Sequence, residues 1–326
     1  MMRIANSRRP GLSLIEVLVT LFVMAIGIIS LMTLFPVGAM QMGQALRDDR
    51  SGQTASQADG ITRLWWQTQV VEGAGAEPFF VAMDNPGAPL AAKPFPYDNN
   101  PSYPVVLDPI GWYSRAAGAR EWISPSAEPR LPRRSPSSII NLNPFAIRAC
   151  SMMDDITFKE DGTPDNISGG SQVVREGAYN WAAVIQRPNN ANRFVADFKV
   201  LVFHTKGLYG GHIPGTAPAN AETIHSIANG QLVSANANTT QILLNVPIAN
   251  VGIRSSNWVL DGSNAATANF YRVQSITENP LNANETFLEL DTPLKTNVTQ
   301  LYILRGLIDV FDRPQLTNSG YYRQAP

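Results

Sequence analysis

One cysteine, Cys150, in 326 residues leaves no intrachain disulfide to form, so stability has to come from a packed core rather than covalent staples. Charge is scarce too: 16% of residues are charged, the net charge is -1 and the isoelectric point is near 6.3. That excludes the basic field that marks nucleic-acid binding, and no nucleic acid is expected as a partner. The three histidines, His204, His212 and His225, have no cysteine or carboxylate in ligand register, whereas zinc sites announce themselves by close ligand pairs. A GxSxG elbow, a Walker loop, an HExxH helix and a distinguished pair of carboxylates are all missing. The sequence therefore reads as non-enzymatic, with no cofactor and no metal called. What is plentiful is proline and glycine, 24 of each, which together with many Asn, Ser and Thr residues point to a loop-rich domain rather than a helical one.

Against that background one stretch stands out. From Leu12 to Phe35 a run of 24 residues holds a single ionisable group, Glu16. As a helix it reaches about 36 Å at 1.5 Å per residue, enough for a bilayer core of roughly 30 Å. Ahead of it stand Arg3, Arg8 and Arg9 with no acid. By the positive-inside rule they hold the short N-terminus in the cytoplasm and place the rest outside, a single-pass N-in topology. Glu16 is the oddity: an acid inside a membrane helix costs about 2.5–3.5 kcal/mol on insertion scales and reads as functional by default.

The segment Gly11-Leu12-Ser13-Leu14-Ile15-Glu16, behind its short basic leader, resembles the cleavage and methylation signature of type IV pilins and the pseudopilins of type II secretion. The resemblance covers about the first tenth of the chain. It implies that a prepilin peptidase cuts between Gly11 and Leu12 and methylates the new amine of Leu12. It further implies that Glu16 pairs with the Leu12 amine of a neighbouring subunit, offsetting two desolvation costs and setting the axial register. Leu12 stands where the family most often has Phe, and Ser13 where Thr is frequent, both modest changes of size. The run EVLVTLFVMAIGIISLM is most similar to the PilV/GspI-like minor pilins. Two other readings compete. A secretory signal peptide ending at Val37-Gly38-Ala39 is opposed by a run far longer than the usual apolar core of 7 to 15 residues and by the acid within it; a plain membrane anchor that does not polymerise is the second.

Beyond the anchor, Pro36 and Gly38 are expected to kink or locally open the helix. A three- and four-residue recurrence through Met40, Ala45, Leu46, Ala55, Ala58, Ile61, Leu64 and Trp65 then predicts an amphipathic helix to about Val71. Its polar middle, Arg47 to Gly52, is a candidate break. Trp65, Trp66 and Val70 suit packing on a sheet. From Glu72 to Pro144, Pro, Gly, Ala and Asn crowd the sequence and no period survives, which predicts a long irregular connection. Its aromatics, Phe79, Phe80, Tyr97, Tyr103, Trp112, Tyr113 and Trp122, place it against the core rather than in solvent.

After a short helix over FAIRACSMM, with Asp154 and Asp155 flanking its end, Glu160 to Asn166 forms a turn. Its carboxylates and amides invite comparison with a calcium loop, although the EF-hand spacing is absent and a solvated turn is the expectation. Tyr179 to Arg187 and Phe194 to His204 then read as an antiparallel hairpin. Further strands are expected at Gln241–Val246, Trp258–Leu260, Phe270–Ile276, Thr286–Leu290 and Gln300–Phe311, suited to a small sandwich or partly closed barrel, the last of them long enough to rejoin the first sheet.

The expected fold is α+β: a long N-terminal helix, its first half transmembrane, packed on an antiparallel sheet, with a β-rich C-terminal extension. The expected organisation is a leader over 1–11, an anchor and spine helix over 12–72, a connection over 73–145 and a β-rich domain over 146–326. The functional expectation is a structural minor pilin or pseudopilin of the inner membrane with its C-terminal domain in the periplasm. Its partners would be prepilin peptidase, other pilins or pseudopilins and the inner-membrane assembly platform.

Overall fold

In the computed structural model the described residues are 14–72, 104–107, 133–134, 152, 159–160, 163, 178–188, 194–204, 222–264, 267–304 and 306–317. Helix α1 runs over Leu14–Trp65 with Pro36 inside it. The chain divides into two units, Met1–Arg50 and Ser51–Pro326. The helix continues through Pro36 and Gly38, and the candidate break at Arg47 to Gly52 is not realised, for that stretch is helical too. Proline removes one backbone bond and its ring crowds the carbonyl four residues back, and the helix nonetheless runs through it.

In the second unit the helix from Ser51 onward is laid against a sheet. Ala55, Ala58, Trp65, Trp66 and Val70 are buried in one cluster with residues of the sheet, as expected. Leu64 departs from the expected stripe and is 64% exposed. Successive residues are about 100° apart on a 3.6-residue helix, so the line Ala58, Thr62, Trp65 faces inward and leaves Leu64 beside it. At its end the helix widens into a π-helical turn, Trp66–Val71, closed by a bond from the Glu72 N–H to the Gln67 carbonyl, five residues back. Here consecutive Trp65 and Trp66 are both buried, edge to face at 6.3 Å, and the Trp66 indole N–H donates to the Phe194 carbonyl at 3.1 Å.

The sheet beneath has five strands in the order β12-β4-β3-β1-β2: β1 Val105–Leu107, β2 Arg133–Arg134, β3 Tyr179–Gln186, β4 Ala196–His204 and β12 Leu307–Leu316. The predicted hairpin is β3–β4, in register from Tyr179 opposite His204 to Gln186 opposite Asp197. Strand β3 is buried at every residue but its last, because both faces are covered. Trp181, Ala183 and Ile185 meet the helix, and Ala182 and Val184 meet a second sheet. Double coverage explains its continuous apolar run from Trp181 to Ile185, a pattern more usual in buried parallel strands. Strand β1 corrects the expectation of a wholly irregular 73–145 connection: Val105, Val106 and Leu107 are fully buried beside β3. The β1–β2 pairing is parallel in an otherwise antiparallel sheet.

The second sheet has seven strands, β5-β11-β8-β9-β10-β7-β6: β5 Glu222–Ser226, β6 Leu232–Ser234, β7 Gln241–Leu244, β8 Trp258–Asp261, β9 Asn269–Asn279, β10 Asn282–Leu290 and β11 Gln300–Leu304. Its two edge strands, β5 and β6, are consecutive in sequence, and the Gln231 N–H donates to the Ser226 carbonyl between them at 3.2 Å. Of the two expected forms, a small sandwich or a partly closed barrel, the contacts favour the second, since β6 at one edge shares an apolar cluster with β8 and β11 near the other. Inside it lie Ile242, Leu244, Val259, Tyr271, Val273, Leu288, Leu301 and Ile303, and Leu294 and Val298 close it from the loop before β11 through backbone bonds to Thr239 and Ala235. Its outer face, through Leu260, Tyr302 and Leu304, packs on the first sheet.

The expected strand Gln300–Phe311 is two strands. Strand β11 belongs to the barrel, whereas β12 rejoins the first sheet beside β4. The switch is made at Gly306, whose φ of +82° a residue with a Cβ rarely adopts.

Candidate assembly and processing site

Every described side chain from Leu14 to Leu46 is exposed. Thirty-three residues as helix extend about 50 Å, well beyond a bilayer core of roughly 30 Å, and the only ionisable group among them is Glu16. A helix apolar all round is stable only when enclosed by lipid or by other helices. Two of its hydroxyls are satisfied within the helix: Thr20 donates to the Val17 carbonyl at 2.8 Å and Ser30 to the Ile26 carbonyl at 2.9 Å. This is what a non-aqueous surrounding demands of polar side chains. By length and composition the helix qualifies as a membrane span.

Glu16 sits in the first turn of α1 and is exposed. A helix N-terminus favours an anion through its dipole, by about 0.3–1 kcal/mol at an exposed site. Gly11 and Leu12, the expected cleavage and methylation positions, lie outside the described residues, as does the FAIRACSMM helix except for Met152. Of the Glu160–Asn166 turn only Glu160 and Thr163 are described; the Lys159 N–H donates to the Thr163 carbonyl at 2.8 Å.

The two described histidines fall in different sheets. His204 ends β4, exposed and edge to face with Tyr179 at 5.0 Å. His225 is buried in β5. His212 lies outside the described residues. Among the described residues no three His, Cys, Asp or Glu side chains are grouped to hold a metal ion.

Residues 6–32 match the family described as the prokaryotic N-terminal methylation motif. The chain thus carries a type IV pilin-like prepilin signal, and the match brackets Gly11, Leu12 and Glu16. No curated protein matches the chain. Among solved structures, the phage phi92 endosialidase is similar over 42% of this chain and 18% of its own, at 11% identity and a TM-score of 0.18, a likeness too low to bear on fold or activity.

Proposed function

We propose that the chain is a structural minor pilin or pseudopilin of the PilV/GspI-like kind. It is cut by prepilin peptidase between Gly11 and Leu12, methylated at Leu12 and assembled with other pilins or pseudopilins at an inner-membrane platform. The observation that carries this reading is the methylation motif at the head of a long apolar helix exposed on all sides. Such a helix has two uses in sequence. It anchors the subunit in the inner membrane, with Arg3, Arg8 and Arg9 cytoplasmic and the β-rich unit periplasmic, and it is then enclosed by like helices in a filament.

In this account Glu16 recognises the Leu12 amine of a neighbouring subunit. Both charges leave water, so each is costly alone and the pair is self-consistent. Glu16→Gln removes the charge and leaves the span more apolar, so insertion and cleavage should continue. Incorporation should fall, because the neighbour's amine is left buried and unpaired at a cost of roughly 3–5 kcal/mol. The test is to express Glu16→Gln with its assembly partners and compare sheared filaments with membrane-extracted complexes. Equal recovery of variant and parent in both fractions would contradict charge pairing and favour a membrane-anchored binding module that does not polymerise.

A further inference from the structure

The seam of the barrel holds a buried histidine that the proposed function does not use. His225 is 2% exposed and lies opposite Leu301 on β11, which in turn lies opposite Asp261 on β8. All three face the barrel interior, where Leu301 belongs to the apolar cluster. Nδ1 of His225 meets Gln231 Oε1 at 3.1 Å across the β5–β6 turn. That oxygen is an acceptor and also takes the Asn229 side-chain N–H at 3.2 Å, so Nδ1 carries the proton and Nε2 is a bare lone pair. Nε2 is buried and meets no hydrogen-bond partner among the described residues.

The same turn is tied together by Asn229. Its Oδ1 accepts from the Ser226 and Gln231 N–H groups, and its Nδ2 donates to the Ile224 carbonyl. This network joins the two edge strands of the seven-stranded sheet. We infer that His225 is a proton-operated latch on the β5–β6 seam: neutral, it holds Gln231 and keeps the barrel shut, and a proton on Nε2 opens the seam.

The physical reason is that a second N–H at Nε2 would place a cation in the buried interior with no acceptor for it among the described residues. The other titratable groups around the interior do not supply a receiver. Asp261 accepts from the Ser263 N–H at 2.9 Å and from the Thr296 hydroxyl at 3.2 Å. The Tyr271 hydroxyl accepts the Lys295 N–H at 3.0 Å; burial above all, opposed by that bond and aided by the charge of Asp261, moves its pKa further up. On the closing loop, Asp291 and Lys295 are exposed. Burial draws the His225 pKa below its ordinary 6.5, the Gln231 bond opposing it. A folded value below the unfolded one means that the stabilisation is complete above about 6.5 and is lost as pH falls through the folded value.

Hydrogen exchange on the full chain in detergent micelles tests this, at about pH 7.5 and about pH 5, after correction for intrinsic exchange rates. Amides of 222–235 should open more at acid pH, by up to about tenfold per pH unit, while those of the β3–β4 hairpin keep their protection. In His225→Gln, which keeps a hydrogen-bonding side chain but cannot titrate in this range, the acid-dependent rise should vanish. Seam protection that is independent of pH, an equal rise across both sheets, or the same rise in His225→Gln would each overturn the latch. If that variant does not fold, the wild-type comparison of seam and hairpin decides alone.

Discussion

Gly306 turns the chain from the barrel into the first sheet, and two independent constraints act on it. Its φ is +82°, and a Cβ built there would lie 2.4 Å from the His204 carbonyl oxygen. That oxygen belongs to β4, whose His204 N–H is itself bound to the Gly306 carbonyl at 2.7 Å. Backbone on both sides cannot step aside as a side chain might. Gly306→Ala should therefore cost at least about 1–3 kcal/mol for the conformation alone, with the clash added. Gly262 poses a softer case: a Cβ would meet the Tyr302 ring at 2.1 Å, and the ring is fully buried between the sheets. Gly262→Ala should be destabilising through displacement of Tyr302, without backbone strain. Denaturant unfolding of the two variants should show both losses; a Gly306→Ala protein as stable as its parent would refute the corner as described. In the sequence both are single glycines in a chain that has 24. Neither could be singled out, because what makes them irreplaceable is a neighbour distant in sequence.

At the scale of elements, the helix is held to the sheet by packing and by Arg63. Its guanidinium donates to the Pro314 and Gln315 carbonyls at 2.6 and 3.1 Å, and its Nε to Asp59 at 3.0 Å. It also lies over the Phe198 ring. Carbonyls near the end of β12 thus find a charged donor on the helix. Arg63→Met keeps the stem and removes these bonds, at an expected cost of about 1–2 kcal/mol given partial exposure. Asp59→Ala should cost less, within about 0–1 kcal/mol, since it removes only an i,i+4 ion pair near the surface. Urea titration of the pair checks the order, and a larger loss for Asp59→Ala would mean that the ion pair rather than the β12 contact matters. Trp66→Phe should lose about 1 kcal/mol or more, as it leaves the Phe194 carbonyl without its indole donor.

The elements were legible to the extent that local pattern decided them. The β3–β4 hairpin, the helix face of Ala55, Ala58 and Trp65, and the curled second sheet follow from apolar runs and turn residues. The three-residue strand β1 did not, because Val105–Leu107 sits among prolines and gains its partner only from β3, far along the chain. Nor did the division of Gln300–Phe311, where an apolar run is continuous but the sheet it serves changes at Gly306. The π-helical turn at Trp66–Val71 left no trace in composition. Of the candidate site, the methylation motif over 6–32 was legible through the resemblance carried by Gly11 to Glu16, and Glu16 stood out as the one acid in an apolar run; the roles given to Gly11, Leu12 and Glu16 are proposals. His225 was readable only as a histidine, its role at the seam depending on Gln231 and on burial.

At the scale of the whole molecule, the proposed function puts orientation and maturation before any use of the β-rich unit. In the proposed N-in topology, neutralising Arg3, Arg8 and Arg9 should scramble topology or slow insertion, because by the positive-inside rule they would supply the cytoplasmic bias. A C-terminal periplasmic reporter that stayed as active as before would show that orientation is set elsewhere. Gly11→Leu should block cleavage, since a side chain beside the cut would obstruct entry of the backbone into the peptidase, and full-length protein should accumulate in the inner membrane. The central claim is that the chain matures as a pilin-like subunit, and intact-mass analysis of the protein recovered from cells with prepilin peptidase tests it most directly. The account predicts a mature chain beginning at N-methylated Leu12, and it is contradicted by a chain that still begins at Met1 or Met2, or that has been cut after Ala39.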